Sequence, residues 1–325
     1  MKITRQHWRR GTGLALISAA GLVLAACGDD GNGGADDPDF PTSEIRLIVQ
    51  AAAGGGSDLS ARALANELEE ELGQSVVVEN RPGASGSTAM QFVADQNPDG
   101  YTIGFLPVEV AMLDHLGFDV QPENYDLLGQ IMNGPGSIAV PGDSPYETLD
   151  ELLAAAGENP GQISVGNSGP GSIWEAATFG LGDAAGVEFN PVPFDGGADA
   201  VAAAMGGQID AVVAGVAESS QPHAEGTLRV LAVLHDEEID SLPDVPTAQE
   251  LGHDVVFGGW GGIGAPDGLP DSVRDTLAAA IETGASADGF VETIESFGAI
   301  PTYRSPEEFT SFVDDEYERF AGLID

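Results

Sequence analysis

The spacing of apolar positions changes period repeatedly along the chain, and each change predicts an element. Ile45-Arg46-Leu47-Ile48-Val49 is short, β-branched and nearly all apolar, which predicts a buried strand. A glycine turn follows, Ala53-Gly54-Gly55-Gly56-Ser57-Asp58. Ala61, Leu64, Ala65, Leu68 and Leu72 then recur at helical spacing until Gly73 stops the helix. Val76-Val77-Val78 predicts a second strand, Asn80-Arg81-Pro82-Gly83 a turn, residues 88–96 a helix and residues 101–105 a third strand. Strands and helices alternating at these lengths predict a parallel sheet with helices packed on it.

The theme then repeats. Thr148 and Glu151 have capping-box spacing at the start of a helix running through Ala156, and Ser172 and Glu175 repeat that spacing. Between them lie the strand Ile163-Ser164-Val165 and the turn Asn167-Ser168-Gly169-Pro170-Gly171. Val192-Pro193-Phe194 precedes a small-residue helix over 198–205. Residues 209–213 and 228–233 predict two more buried strands. Ser305-Pro306-Glu307-Glu308 combines an N-cap, a first-turn proline and a box glutamate. Phe309, Phe312, Val313, Tyr317 and Phe320 give that last helix one apolar face. Two such halves, each with a glycine-rich turn, predict two α/β lobes that are not residue-level duplicates.

The N-terminus reads differently. Lys2, Arg5, Arg9 and Arg10 precede an uncharged apolar stretch over 14–26, which closes on Leu24-Ala25-Ala26-Cys27. This is the layout of a cleaved secretory signal, too short and wrongly flanked for a membrane span. Cys27 is the only cysteine, which excludes an internal disulfide or a cysteine metal cluster. The string resembles the bacterial lipobox, implying cleavage before Cys27 and lipidation of its thiol; the plainer alternative is a signal that happens to contain a cysteine. Arg9-Arg10 leaves a twin-arginine export route open, although Gly11-Thr12-Gly13 fits it poorly. Residues 1–26 are therefore expected to be a signal peptide. Residues 27–40, with almost no apolar side chain larger than alanine, are expected to be a flexible acidic tether.

Charge narrows the partners. The chain has 53 acidic residues against 11 basic ones, a formal net charge of -42, and Lys2 is its only lysine. Such a surface repels nucleic acid and anionic lipid, so neither is expected as a partner except through the lipid anchor. It suits high ionic strength, where salt screens self-repulsion, so a salt-adapted protein is one reading and an ordinary low-pI exported protein the other.

Catalytic signals are lacking. The five histidines are scattered, and no H-E-x-x-H, G-x-S-x-G or Walker string occurs. With 53 carboxylates, close acidic pairs mean little. The glycine turns carry more, because a glycine-rich loop leading into a helix exposes unpaired N–H groups at the positive end of the helix dipole. That makes a carboxylate or phosphate site without any lysine. Two turns qualify, at 54–58 and 168–172, both expected at the carboxyl ends of strands. Each can also be a mere tight connection, and Ser172 is explained by capping alone.

Longer strings carry a resemblance. Residues 40–58 and Leu72-Gly73-Gln74-Ser75-Val76-Val77-Val78-Glu79-Asn80-Arg81-Pro82-Gly83-Ala84 are followed by Asp99-Gly100-Tyr101-Thr102 and Gly206-Gly207-Gln208-Ile209-Asp210. Residues 242–252, Trp260, and Ala265-Pro266-Asp267-Gly268-Leu269-Pro270 complete the set. Together they resemble the substrate-binding receptors of tripartite tricarboxylate transporters, the Bug family, from Phe40 to the C-terminus. The resemblance implies a two-lobed periplasmic-binding-protein-like fold that closes on a small organic carboxylate. It further implies two integral membrane transporter subunits as partners, a monomeric receptor, and neither catalysis nor a cofactor.

Residues 41–139 plus 257–325 would form lobe 1 and residues 140–256 lobe 2. Ligand contacts would come from Ala53, Gly54, Gly55, Gly56, Ser57 and Asp58, with Asn80, Pro82 and Gly83 beside them. The second lobe would contribute Ser168, Gly169, Gly171, Ser172 and Phe194.

Glu109 departs from the family pattern. Family members place small hydroxyl residues after the strand ending at Phe105, where this chain has Leu106-Pro107-Val108-Glu109-Val110. Either Glu109 points to solvent, or it faces the ligand. In the second case it must pair with Arg81, or the ligand is a zwitterion or amide. Two rival functions remain open here, service to a sensor kinase and a surface enzyme with a novel site.

Overall fold

A computed structural model describes residues 39–324. The expected signal sequence, Cys27 and all but the end of the acidic tether lie outside these residues. In chain order the elements are β1 (Ile45–Val49), α1 (Gly56–Leu72), β2 (Val76–Asn80), α2 (Ser87–Ala94), β3 (Thr102–Pro107), β4 (Tyr125–Asn133) and β5 (Gly136–Pro141). Then come α3 (Leu149–Glu158), β6 (Ser164–Asn167), α4 (Ile173–Ala185), β7 (Asn190–Pro193), α5 (Gly197–Met205), β8 (Ala211–Gly215), α6 (Val216–Ala224) and β9 (Leu228–Leu234). The chain ends with β10 (Gly261–Pro266), α7 (Asp271–Ala285), α8 (Asp288–Ser296), β11 (Ile300–Arg304) and α9 (Pro306–Ile324).

Two sheets result, in the orders β11-β4-β10-β3-β1-β2 and β7-β6-β8-β5-β9, giving a two-lobed α/β fold. The expected βαβ units make the parallel part of each, β2-β1-β3 in the first and β7-β6-β8 in the second. Each sheet is completed by antiparallel strands, so neither is purely parallel. β10 pairs antiparallel to β3 and β4, and β5 to β8 and β9.

β10 carries no alternating apolar signal because the strand is largely glycine. A side chain at Gly261 or Gly262 would overlap the rings of Phe105 and Phe309, which fill the space a usual strand residue would take.

The chain changes sheet at Gly134-Pro135, some residues earlier than the expected crossing at 139/140. Ala139 lies inside β5, paired with Val212 on one side and Val230 on the other. The return runs alongside. Pro135 bridges Gly258, the N–H of Gly136 donates to Phe257 O at 3.0 Å, and that of Gly259 donates to Gly134 O at 2.8 Å. The two connections thus form a short antiparallel ribbon joining the lobes. Phe257 still bonds β9 through Leu234 O, so the first sheet resumes only at Gly261, beyond the expected 256/257 boundary.

α9 braces this ribbon. The indole N–H of Trp260 donates to the buried Glu316 at 3.0 Å, and Arg319 donates to Val256 O at 3.2 Å.

Candidate ligand-binding cleft

A cavity of about 750 Å³ lies between the carboxyl ends of the two parallel strand sets. One wall comes from the loop after β1 (Gln50, Gly55, Gly56, Ser57), the segment 82–86 and Glu109. The other comes from the β6–α4 turn, the β7–α5 loop over 194–199, and the start of α6 at 215–218. Trp174, Trp260, Met132 and Phe297 supply apolar surface, and Gly134 and Gly259 of the connecting ribbon also line the space. Among the described residues its ionisable lining groups are Glu109, Asp195, Asp199 and Glu218, with no lysine, arginine or histidine.

Helix N-termini take the place of cations. α1 opens on Gly55 and α5 on Gly196, and neither glycine offers a side-chain cap. The first-turn N–H groups of both helices therefore face the cavity without an intrahelical partner, at the positive end of each dipole.

The loop before α1 is held from behind by Asp58. Its carboxylate accepts from Gly54 N at 2.8 Å, Arg62 Nε at 3.1 Å and Asn80 Nδ2 at 2.8 Å, while Asn80 Nδ2 also reaches Ala51 O. Burial opposes the charge on Asp58, but Arg62, the Gly54 N–H and Asn80 together hold its carboxyl below the usual range.

The β6–α4 turn is held by carboxylates instead. Gly171 N donates to the Glu175 carboxylate at 2.8 Å, and Ser172 Oγ accepts from Glu175 N at 3.3 Å. Ile173 N, the first helical amide of α4, donates to Glu109 Oε1 at 3.3 Å from the opposite lobe. Beside it, Ser85 Oγ donates to Pro170 O at 2.8 Å, a second contact across the cleft.

Two carboxyls in the cavity are perturbed. Burial pushes Glu109 up to about 7, against the pull of its own amide and that of Ile173. Burial likewise raises Glu218, whose only partners are backbone N–H groups, its own and that of Gly215. Asp195 and Asp199 are solvent-exposed.

Residues 60–325 match the family described as the Tripartite tricarboxylate transporter family receptor. The chain belongs to this receptor family. It is 30% identical to the UPF0065 protein in the gbd 5' region of Cupriavidus necator, over 99% of this chain and 97% of that one. The structure of MatC from Rhodopseudomonas palustris with bound malate aligns at a TM-score of 0.80 with 25% identity, covering 88% of this chain and 100% of that one. A second R. palustris protein, with adipate, gives 0.80 and 27%, over 88% and 97%.

Within the receptor, the expected site residues separate into groups. Gly55, Gly56, Ser57, Pro82, Gly83, Glu109, Ser168, Gly169, Ser172 and Phe194 line the cavity. Ala53, Gly54, Asp58 and Asn80 do not, and the last two stand behind the α1 loop and shape it. Gly171 faces a smaller groove with Met112 and Leu116 on the other side of the turn.

Glu109 faces the cleft, but its partner is not Arg81. That guanidinium bonds Glu79 at 2.7 Å and stacks on Phe92 at 3.6 Å.

The sequence places a helix at 198–205, but neither its start nor that of α6 was read as part of the site. Asp195-Gly196-Gly197-Ala198 follows a strand and opens a helix, the same signal that singled out the first turn. Glu218 carried no signal of its own among so many acids.

Proposed function

We propose that this receptor is an extracytoplasmic solute-binding protein that captures a small organic carboxylate in the cleft and presents it to the membrane subunits of a tripartite transporter. One observation carries the reading: a cavity walled by uncapped helix N-termini from both lobes and lacking any basic side chain. Partial positive charge from backbone amides suits a carboxylate that must later be released, because it attracts without forming a tight ion pair. The glycine-rich ribbon at 134–136 and 257–259 is the flexure about which the lobes open and close. Malate and adipate in the two R. palustris relatives are ligands of this chemical kind.

Lipidation at Cys27 would keep the receptor beside the transporter on the outer side of the membrane. Cys27→Ala then releases the protein into the soluble fraction, and retention of the variant in the membrane contradicts the anchor.

Titrating purified receptor with a panel of organic acids, followed by thermal melting, tests the binding reading. An acid at a hundred times its Kd adds about 2.7 kcal/mol of stability, a readily measured shift. A panel of mono-, di- and tricarboxylates and amino acids that leaves the melting curve unmoved contradicts it.

A further inference from the structure

We propose that the ligand carries a protonated amine as well as a carboxylate, with the α1 N-terminus holding the carboxylate and Glu109 and Glu218 holding the amine. This rests on the receptor reading above and specifies its ligand.

Three observations converge on it. First, the α4 N-terminus, which would otherwise welcome an anion, already has an occupant: Ile173 N donates to Glu109 Oε1. Gly171 N is likewise taken by Glu175. An anionic group is directed away from this turn, and Glu218 Oε1 lies against Gly197 at the start of α5, which leaves the bare first turn of α1 at Gly55 and Gly56.

Second, Glu218 reaches the cavity from the opposite lobe with no side-chain hydrogen bond and no ion pair, receiving only backbone N–H groups. Glu218 and Glu109 flank the same segment. Glu109 bonds the amide of Ile173, while the ring of Trp174 and the Glu218 carboxylate both lie against Gly215. A cavity lined by a carboxyl from each lobe, with Trp174 beside them, fits an ammonium group.

Third, the protein supplies no cation of its own. Arg81 is committed to Glu79 and Phe92, and no other basic side chain lines the cavity. Burial alone drives both carboxyls towards the neutral form, and an arriving ammonium reverses that by giving the charged form a partner. A plain dicarboxylate brings its second charge to the same two acids and gives neither a partner for its ionised form, so it meets repulsion wherever they are charged and gains no ion pair where they are neutral. Glu109 and Glu218 are therefore the residues that select against the ligands held by MatC and its adipate-bound relative.

Matched pairs that differ only by the ammonium group test this. We would titrate L-glutamate against glutarate, 4-aminobutyrate against butyrate, and L-phenylalanine against 3-phenylpropionate into the full mature receptor by calorimetry near neutral pH. The expected result is that the aminated member binds at least tenfold more tightly in the pair that fits, a difference of about 1.4 kcal/mol or more. Glu109→Gln and Glu218→Gln should each shrink that preference by tenfold or more while improving the plain acid. A merely structural role for the two glutamates would weaken both members of a pair alike.

Equal or tighter binding of the plain acids overturns the inference and leaves the receptor reading in place. An amine preference untouched by both variants overturns the assignment of Glu109 and Glu218. Silence from all six compounds, together with silence from the wider panel above, removes the receptor reading and the inference with it.

Discussion

The turns at 54–58 and 168–172 are alike in composition, each glycine-rich with a serine and leading into a helix, yet they end up in opposite chemical states. In the first, the polar side chains point backwards. Asp58 takes Gly54 N, Arg62 and Asn80, and the α1 amides are left facing the cavity. In the second, carboxylates and a serine close on the amides of the turn and of the first helical residues. Glu175 takes Gly171 N, Ser172 caps Glu175 N, and Glu109 takes Ile173 N. The difference lies in where the acid falls. Asp58 is in the first turn of its helix but buried behind the loop, whereas Glu175 and Glu109 reach the amides themselves. A glycine turn before a helix marks a possible anion site, and the nearest carboxylate decides whether the site stays open.

The largest expected effect comes from breaking the support of the first turn. Asp58→Ala removes the buried acceptor shared by Gly54 N, Arg62 and Asn80, of which Gly54 N loses its only acceptor, and should cost about 2–3 kcal/mol in denaturant unfolding. Glu175→Ala removes the corresponding acid from the partly exposed second turn and should cost about 1 kcal/mol. If the two losses are equal, the contrast between a supported and a carboxylate-closed turn fails.

Gly171→Val probes the second turn more locally. Gly171 has φ +76, and a Cβ there would sit 3.0 Å from Leu116 Cδ1 of the facing segment. We expect a loss of about 1–3 kcal/mol from strain and crowding. Since Gly171 N is already bonded, the variant should keep the ligand preference of whatever binding remains. A variant of normal stability that has lost the preference would put the ligand on this turn after all.

Glu109 separates the turns by pH. Its folded carboxyl titrates near 7, against 4.5 in the ordinary case. Between those values the folded protein holds a proton that the unfolded chain has released, so this group makes stability fall as pH rises through that window. Glu109→Gln removes the effect. The variant should therefore match wild type near pH 4.5 and exceed it above pH 7 by about 1–2 kcal/mol, reduced because the group is partly exposed to the cleft. Urea melts at both ends of the window check this, and a variant less stable than wild type at pH 8 contradicts it.

The smallest effect concerns the whole surface. With 53 acidic residues against 11 basic ones, screening should raise the melting temperature by a few degrees between low and molar salt. A flat curve would remove the physical support for salt adaptation.

Much of this architecture was legible in the chain because side-chain periodicity reports which face is buried. β1, α1 and Gly73 fall where Ile45-Val49 and the Ala61–Leu72 spacing put them, and Thr148 and Ser305 stand at the helix starts they mark. β10 was invisible because glycine carries no periodic signal, and its space is filled by Phe105 and Phe309 from elsewhere. Asn133-Gly134-Pro135-Gly136 marks a break between β4 and β5, but nothing in that string says that the strand after it joins the other sheet. At the site, the glycine turns could be seen, but the direction of a carboxylate could not. Asp58 and Asn80 turn away from the cleft and Glu109 turns into it, according to packing partners that lie many residues away.

Titration of Gly55→Val beside wild type, with whichever acid binds wild type most tightly, addresses the open first turn most directly. Gly55 has φ -78 and ψ 165, a conformation valine adopts without strain, so the ligand-free fold should survive with only a small loss from the poorer N-cap residue. A side chain there blocks approach to the α1 amides, and the affinity should fall at least tenfold, about 1.4 kcal/mol. Unchanged affinity in a folded Gly55→Val receptor would contradict the account, because the carboxylate would then be held somewhere other than the bare end of α1.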